Sequence, residues 1–143
     1  MKSKIIGFTN GSFDLIYSEH LSMFREAKER CDYLIVGLKS DATIDCADAD
    51  KPNQTLEERT SILSEIKSID EIIPYHTEQE LYGLLTTISP DIRMIPEDWK
   101  DKKYTGYDLP IDVFFNSRSH KYSTLKKQLV NKDVKELKWW QVQ

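Results

Sequence analysis

The sequence predicts a single α/β domain with a doubly wound parallel sheet of about five strands, and three observations carry that expectation. Short apolar runs bounded by turn residues alternate with stretches of helical period, the pattern of strand–helix–strand units. The run Tyr33-Leu34-Ile35-Val36-Gly37-Leu38 is continuously apolar, as a central parallel strand is when both faces are covered. Thr55-Leu56-Glu57-Glu58 and Thr77-Glu78-Gln79-Glu80 both carry the capping-box pattern that opens a helix. With 143 residues and 39% apolar side chains, the chain can bury one core without metals or crosslinks.

The elements follow in order. Ile5-Ile6-Gly7-Phe8-Thr9 reads as the first strand, Asn10-Gly11-Ser12 as its turn, and His20 to Arg30 as a helix with Leu21, Phe24 and Ala27 on one face. The strongest strand, Tyr33 to Leu38, is expected beside the first. A helix opens at Thr55 and runs through Ile62, Leu63 and Ile66; another opens at Thr77 and runs through Leu81, Leu84 and Leu85. Glu71 to Pro74, Asp91 to Ile95 and Asp112 to Phe115 read as short strands. Ser40 to Gln54 and Trp99 to Leu109 are polar and aperiodic, the least regular segments, and loops of that length in a small domain are often functional.

Composition excludes several classes. The formal charge is −4, whereas binding driven by counterion release from nucleic acid needs clustered excess Lys and Arg. No nucleic-acid or membrane partner is expected, and any phosphate site must be local. Cys31 and Cys46 flank a strand with no CxxC and no histidine at metal-ligand spacing, so neither zinc nor a disulfide framework is indicated. The N-terminal apolar run is broken by Gly7 and is too short for a signal core or a membrane span, which points to the cytoplasm.

In an open parallel sheet, ligands bind beyond the carboxyl ends of the strands. Four polar groups are expected there. Thr9-Asn10-Gly11-Ser12-Phe13-Asp14, with Ser18 and His20, opens a helix whose unpaired N–H groups and positive dipole end favour an anion. Lys39-Ser40-Asp41 follows the central strand, and Glu97-Asp98-Trp99 a later one. Arg118-Ser119-His120 with Ser123-Thr124 forms a second helix start with a guanidinium beside it. Two phosphate cradles of this kind suit a nucleoside triphosphate.

These residues also carry a resemblance. The run from Gly11 to His20, then Ala27-Lys28, Asp32 to Gly37 and Ser40-Asp41, resembles the opening of the glycerol-3-phosphate cytidylyltransferases. Lys51, Glu58-Arg59, Ile69 to Pro74, Glu97-Asp98-Trp99, and Arg118-Ser119 with Ser123-Thr124 recur in that family's order and nearly its spacing. Agreement among several separate motifs is specific where a lone Gly-Ser-Phe-Asp would not be. The resemblance implies a Rossmann-like three-layer nucleotidyltransferase fold over residues 1–130, with 131–143 a C-terminal tail.

It also implies roles. His20, Lys51 and Arg118 would be catalytic, supplying charge at the triphosphate. Thr9, Gly11, Ser12, Phe13, Tyr17, Asp98, Trp99, Ser119, Ser123 and Thr124 would bind the nucleotide, and Asp14, Asp41 and Arg59 the substrate. CTP would be the nucleotide, a small alcohol phosphate the acceptor, and magnesium would come with the triphosphate rather than from any ligand pattern in the chain. A homodimer is implied, with Trp139 and Trp140 packing on the domain or on a partner subunit.

Two departures sit at the centre of this site. The family's His-x-Gly-His stands here as Tyr17-Ser18-Glu19-His20, and its Arg-Thr-x-Gly-Ile-Ser-Thr-Thr as Arg118-Ser119-His120-Lys121-Tyr122-Ser123-Thr124-Leu125. Tyr17 can donate a hydrogen bond but carries no positive charge, a loss worth roughly 2.7–4 kcal/mol at a transition state, by analogy with oxyanion-hole deletions. Glu19 puts bulk and negative charge where a glycine lets the backbone approach phosphates.

Taken singly, the residues have plainer readings. His20 reads as a surface residue at a helix start, Asp14 as a helix cap, Asp41 as a turn acid and Glu58 as the closing member of a capping box. Arg59, Lys100, Lys102 and Lys103 read as solvated charge. Three readings of the whole stay open: an active transferase making a CDP-alcohol, a non-catalytic descendant binding a phosphorylated ligand, and a remodelled enzyme using Glu19 as base or metal ligand.

Overall fold

The computed structural model describes residues 4–116. Within them β1 (Ile6–Gly11), α1 (Ser18–Glu29), β2 (Tyr33–Lys39), α2 (Leu56–Ser64), β3 (Glu71–Tyr75), α3 (Glu78–Ile88), β4 (Ile92–Pro96) and β5 (Asp112–Asn116) follow one another along the chain. Short 3₁₀ turns occupy Ala42–Ile44 and Glu97–Trp99. All four strand pairings are parallel, and the sheet order is β3-β2-β1-β4-β5. The expected α/β class and strand count are those observed. The order reverses between β1 and β4, the place where a doubly wound sheet leaves a crevice.

Alternation along the buried strands divides the core in two. Leu34, Val36 and Leu38 face Phe24 and Ala27 of α1 and Leu63 of α2, with Met94 from β4. Phe8, Ile35 and Tyr75 face Leu81 and Leu85 of α3. Period-2 alternation on β2 therefore places α1 and α2 on one side of the sheet and α3 on the other. Both expected capping boxes are present: Thr55 pairs with Glu58 at the start of α2, and Thr77 with Glu80 at the start of α3.

Some expectations shift. Helix α1 opens at Ser18 rather than His20, because Tyr17 takes the extended backbone of an N-cap. Leu21, expected on the core face, is 41% exposed; Phe24 and Ala27 are buried in that seam, with Met23 packed beside them. Ile62 is also exposed, and α2 ends before Ile66, which packs on the first core from the following turn. The aperiodic segment after β2 is organised locally: Asp41 caps the turn Ala42–Ile44 by accepting from the Thr43 N–H at 2.9 Å. Cys31 is buried and Cys46 exposed, neither in a disulfide. Among the described residues no helix is long and apolar enough to cross a membrane.

Candidate functional site

The carboxyl end of β1 builds the first part of the site. Gly11 ends the strand, and a Cβ there would come within 3.2 Å of the Phe13 ring, so a side chain would press that ring outward by a few tenths of an ångström. Phe13 itself has φ +43, a left-handed backbone that costs a non-glycine residue of order 1–3 kcal/mol. Packing offsets the strain: the Phe13 ring lies 5.2 Å from Phe24 and edge-on to His20 at 6.2 Å. Thr9, expected at the nucleotide, is 3% exposed within β1.

His20 stands at the third position of α1. Its Nδ1 accepts from the Tyr17 backbone N–H at 2.9 Å, and its ring stacks on Tyr17 at 5.8 Å. An imidazole that accepts at Nδ1 carries its proton at Nε2, so His20 is held as a donor through that nitrogen. Glu19 lies in the same first turn, where a carboxylate is favoured by the helix dipole. Among the described residues no group of three His, Cys, Asp or Glu side chains could hold a metal ion.

Two of the expected substrate residues are engaged elsewhere. The Asp14 carboxylate is not a helix cap. Its Oδ2 accepts from the N–H and side-chain amide of Asn53 at 2.7 and 3.0 Å, and its Oδ1 from the Gln54 N–H at 2.8 Å. Arg59 is 2% exposed. Its guanidinium donates to the carbonyls of Gln54 at 3.1 Å, Ser12 at 2.9 Å, Lys39 at 2.7 Å and Ser40 at 2.6 Å. That corrects the solvated-charge reading. Arg59 is a clamp joining the β1 turn, the end of β2 and the entry to α2. Burial pulls its pKa down, opposed by the charges of Asp14 and Asp41.

Asp41 follows the carboxyl end of β2. The Thr43 hydroxyl and then its N–H hold the carboxyl below its usual pKa, with Lys51 and Arg59 adding to the effect. Lys51 is exposed on the same loop. At the end of β4, Asp98 and Trp99 lie on the short turn, Trp99 being 44% exposed with the Lys102 amine 5.6 Å over its ring. Arg118, Ser119, Ser123 and Thr124, and the tail 131–143, lie outside the described residues.

Two features escaped the sequence reading. Ser40 and His76, at the ends of β2 and β3, are joined at 2.6 Å between Oγ and Nδ1. No motif announces the pair, because 36 residues separate its members and only the β2–β3 pairing brings them together. Arg93, inside β4, is 2% exposed; a charge in an apolar run is the one signal that could have marked it.

The family described as cytidylyltransferase-like matches residues 8–132, which takes in the β1 turn, the clamp and the Arg118 segment. The chain belongs to the cytidylyltransferase-like family. It is 36% identical over 105 residues to the bifunctional protein HldE of Rhodospirillum rubrum, covering 73% of this chain and 21% of that one. The HldE of Helicobacter acinonychis is 33% identical over 124 residues, 86% of this chain and 26% of that protein. The chain thus spans about a fifth to a quarter of the length of these relatives. Among solved structures, the lipopolysaccharide core biosynthesis protein of Thermoplasma volcanium superposes with a TM-score of 0.66 at 25% identity, covering 82% of this chain and 98% of that one. A pantothenate synthetase of Thermus thermophilus, at 14% identity and TM-score 0.57 over 78% of this chain and 55% of that one, shares the fold. The resemblance read from the motifs therefore holds for this nucleotidyltransferase family, and these relatives bear names other than glycerol-3-phosphate cytidylyltransferase.

Proposed function

We propose that this cytidylyltransferase-like protein moves a nucleoside monophosphate from a triphosphate to a small phosphorylated alcohol and releases pyrophosphate. The observation that carries the reading is His20, oriented in the first turn of α1 by the Tyr17 N–H at its Nδ1, at a helix start that favours a phosphate. In the reaction an oxygen of the acceptor phosphate attacks the α-phosphorus, the bond from that phosphorus to the bridging oxygen breaks, and pyrophosphate carries away the electron pair. The acceptor phosphate is already a dianion near neutral pH, so no protein nucleophile is required. The chain supplies position and charge.

In this reading Gly11, Ser12 and Phe13 shape the phosphate turn, with Thr9 beneath it and Tyr17 stacked on His20. Lys51 and Arg118 add positive charge, Ser119, Ser123 and Thr124 contact phosphate or ribose, and Asp98 and Trp99 line the nucleoside pocket. Asp41 and the Ser40–His76 pair face the acceptor, while Asp14 and Arg59 hold the loops in place. Magnesium would enter on the triphosphate.

CTP is the nucleotide the motif resemblance favours. The names of the relatives do not specify it, so ATP belongs in the same experiment. Calorimetric titration with each nucleotide and magnesium, then pyrophosphate release across alcohol and sugar phosphates including glycerol 3-phosphate, tests the reading. Selective binding with turnover dependent on His20 supports it. Absence of binding by both nucleotides at millimolar concentration overturns it. Tyr17 and Glu19 favour a second reading, a family member that binds without transferring, and binding without pyrophosphate release would select it.

A further inference from the structure

Arg93 lies at the point where the strand order reverses, in register with Phe8 of β1. Its guanidinium reaches toward the carboxyl end of that strand and donates from Nη2 to Asn10 Oδ1 at 2.9 Å. From Nη1 it donates to the carbonyl of Thr105, in the loop after the Glu97–Trp99 turn. Its Nε has no acceptor among the described residues. Asn10 is held from its other side as well, donating through Nδ2 to the Tyr75 hydroxyl at 3.2 Å.

The loop is shaped to meet this group. Gly106 has φ +85, and a Cβ there would lie 2.6 Å from Leu85 Cδ1 and 3.0 Å from Arg93 Nη1, so the backbone rests directly on the guanidinium. Tyr104 stacks above it at 5.3 Å. Thr105 in turn donates to Glu78 Oε1 at 2.8 Å, and Glu78 pairs with Lys39 at 2.7 Å, which also lies 3.5 Å from Asp45. Arg93 and Lys39 are thus balanced locally by Glu78 and Asp45. Direct partners of Arg93 are neutral oxygens, and burying a cation against them is costly where an apolar side chain would fill the space.

We propose that Arg93 is a positioning residue for the nucleotide crevice. One guanidinium bridges the end of β1 and the 104–106 loop, the two walls flanking the switch point. It acts through Asn10 on the Gly11–Phe13 turn without touching the ligand. The proposal rests on the reading of that crevice as the nucleotide site.

Arg93→Lys tests it, because lysine keeps the charge but lacks the planar fork that reaches two acceptors at once. Arg93→Met removes both. Amide hydrogen exchange of the free protein, and calorimetry with CTP, ATP and inorganic pyrophosphate as probes, are the two readouts. Both variants are expected to exchange at least tenfold faster at Gly11–Phe13 and at 104–109, with β2, β3 and α2 unchanged, and to bind pyrophosphate about tenfold more weakly. Exchange and binding of Arg93→Lys equal to wild type would overturn the proposal, as charge alone would then suffice. Faster exchange confined to 104–109 would overturn it too, since the turn would be uncoupled.

If Arg93→Met does not fold, Asn10→Ala breaks the bridge at its other end and is expected to loosen the turn while leaving 104–109 protected; an unchanged turn in that variant counts against the proposal. Should the wild type bind none of the three anions, the nucleotide reading fails while hydrogen exchange still decides the coupling.

Discussion

On the proposed function, individual side chains divide into those that would meet phosphate and those that shape the cleft around it. His20→Ala is expected to lower turnover by about 10²–10³, the scale for losing one preorganised donor, while nucleotide affinity falls less. Steady-state kinetics with separate kcat and KM distinguish this from a binding role. Arg59 behaves differently. Replacing it by leucine strips the Gln54, Ser12, Lys39 and Ser40 carbonyls of their donor in a buried setting, and the expected cost is about 3 kcal/mol or more in urea unfolding. A variant with unchanged stability and a raised acceptor KM would return Arg59 to the substrate. Sequence could not tell these apart, because a guanidinium suits phosphate and backbone carbonyl equally well and only burial decides.

At the level of elements, caps and strand ends carry the testable energetics. Thr55→Ala removes the side chain that receives the Glu58 N–H at 3.0 Å, and is expected to cost about 1 kcal/mol of stability by denaturant titration. Asp70 links three elements: it accepts from the Leu34 N–H at 2.8 Å and pairs with Lys28 from α1, just ahead of β3. Burial raises its carboxyl pKa, but Lys28 and the Leu34 N–H together outweigh that and hold it below the ordinary value. The unfolded chain, titrating near ~3.9, therefore takes up its proton first as pH falls. The stabilisation from Asp70 is complete above that range and disappears as pH drops through the lower folded value. Urea midpoints measured from pH 5 downward should fall more steeply below about pH 4 in the wild type than in Asp70→Asn.

For the whole molecule, a ligand that fills the crevice must stabilise the fold. At 100 times its Kd a nucleotide contributes about 2.7 kcal/mol, enough to raise Tm by roughly 5–10 °C in a chain of this size, which thermal melts with and without CTP or ATP would register. Most of the architecture was legible in advance, since the apolar run of β2 and the two Thr-x-x-Glu caps state their roles within a few residues. Leu21 misled because period alone cannot say how wide the buried stripe of a helix is. The site was less legible. The turn residues and His20 form a local motif, but the positions of Asp14, Arg59, Arg93 and the Ser40–His76 pair each depend on at least one contact between residues 36 to 83 positions apart.

The Arg59 clamp also bears on when the protein acquires its cleft. The carbonyl of Ser12 receives a donor from a residue 47 positions later, and Asp14 is satisfied by amides 39 and 40 positions later. Loops of that length close slowly relative to a helix turn, so β1 and α1 can form while the cradle between them is still shapeless. During synthesis the phosphate turn would emerge early and mature late, only after Arg59 has left the ribosome. In pulse-labelled refolding, protection of the Asn53 and Gln54 amides should arrive with that of α2 rather than with β1; earlier protection would mean that the cradle assembles without its clamp.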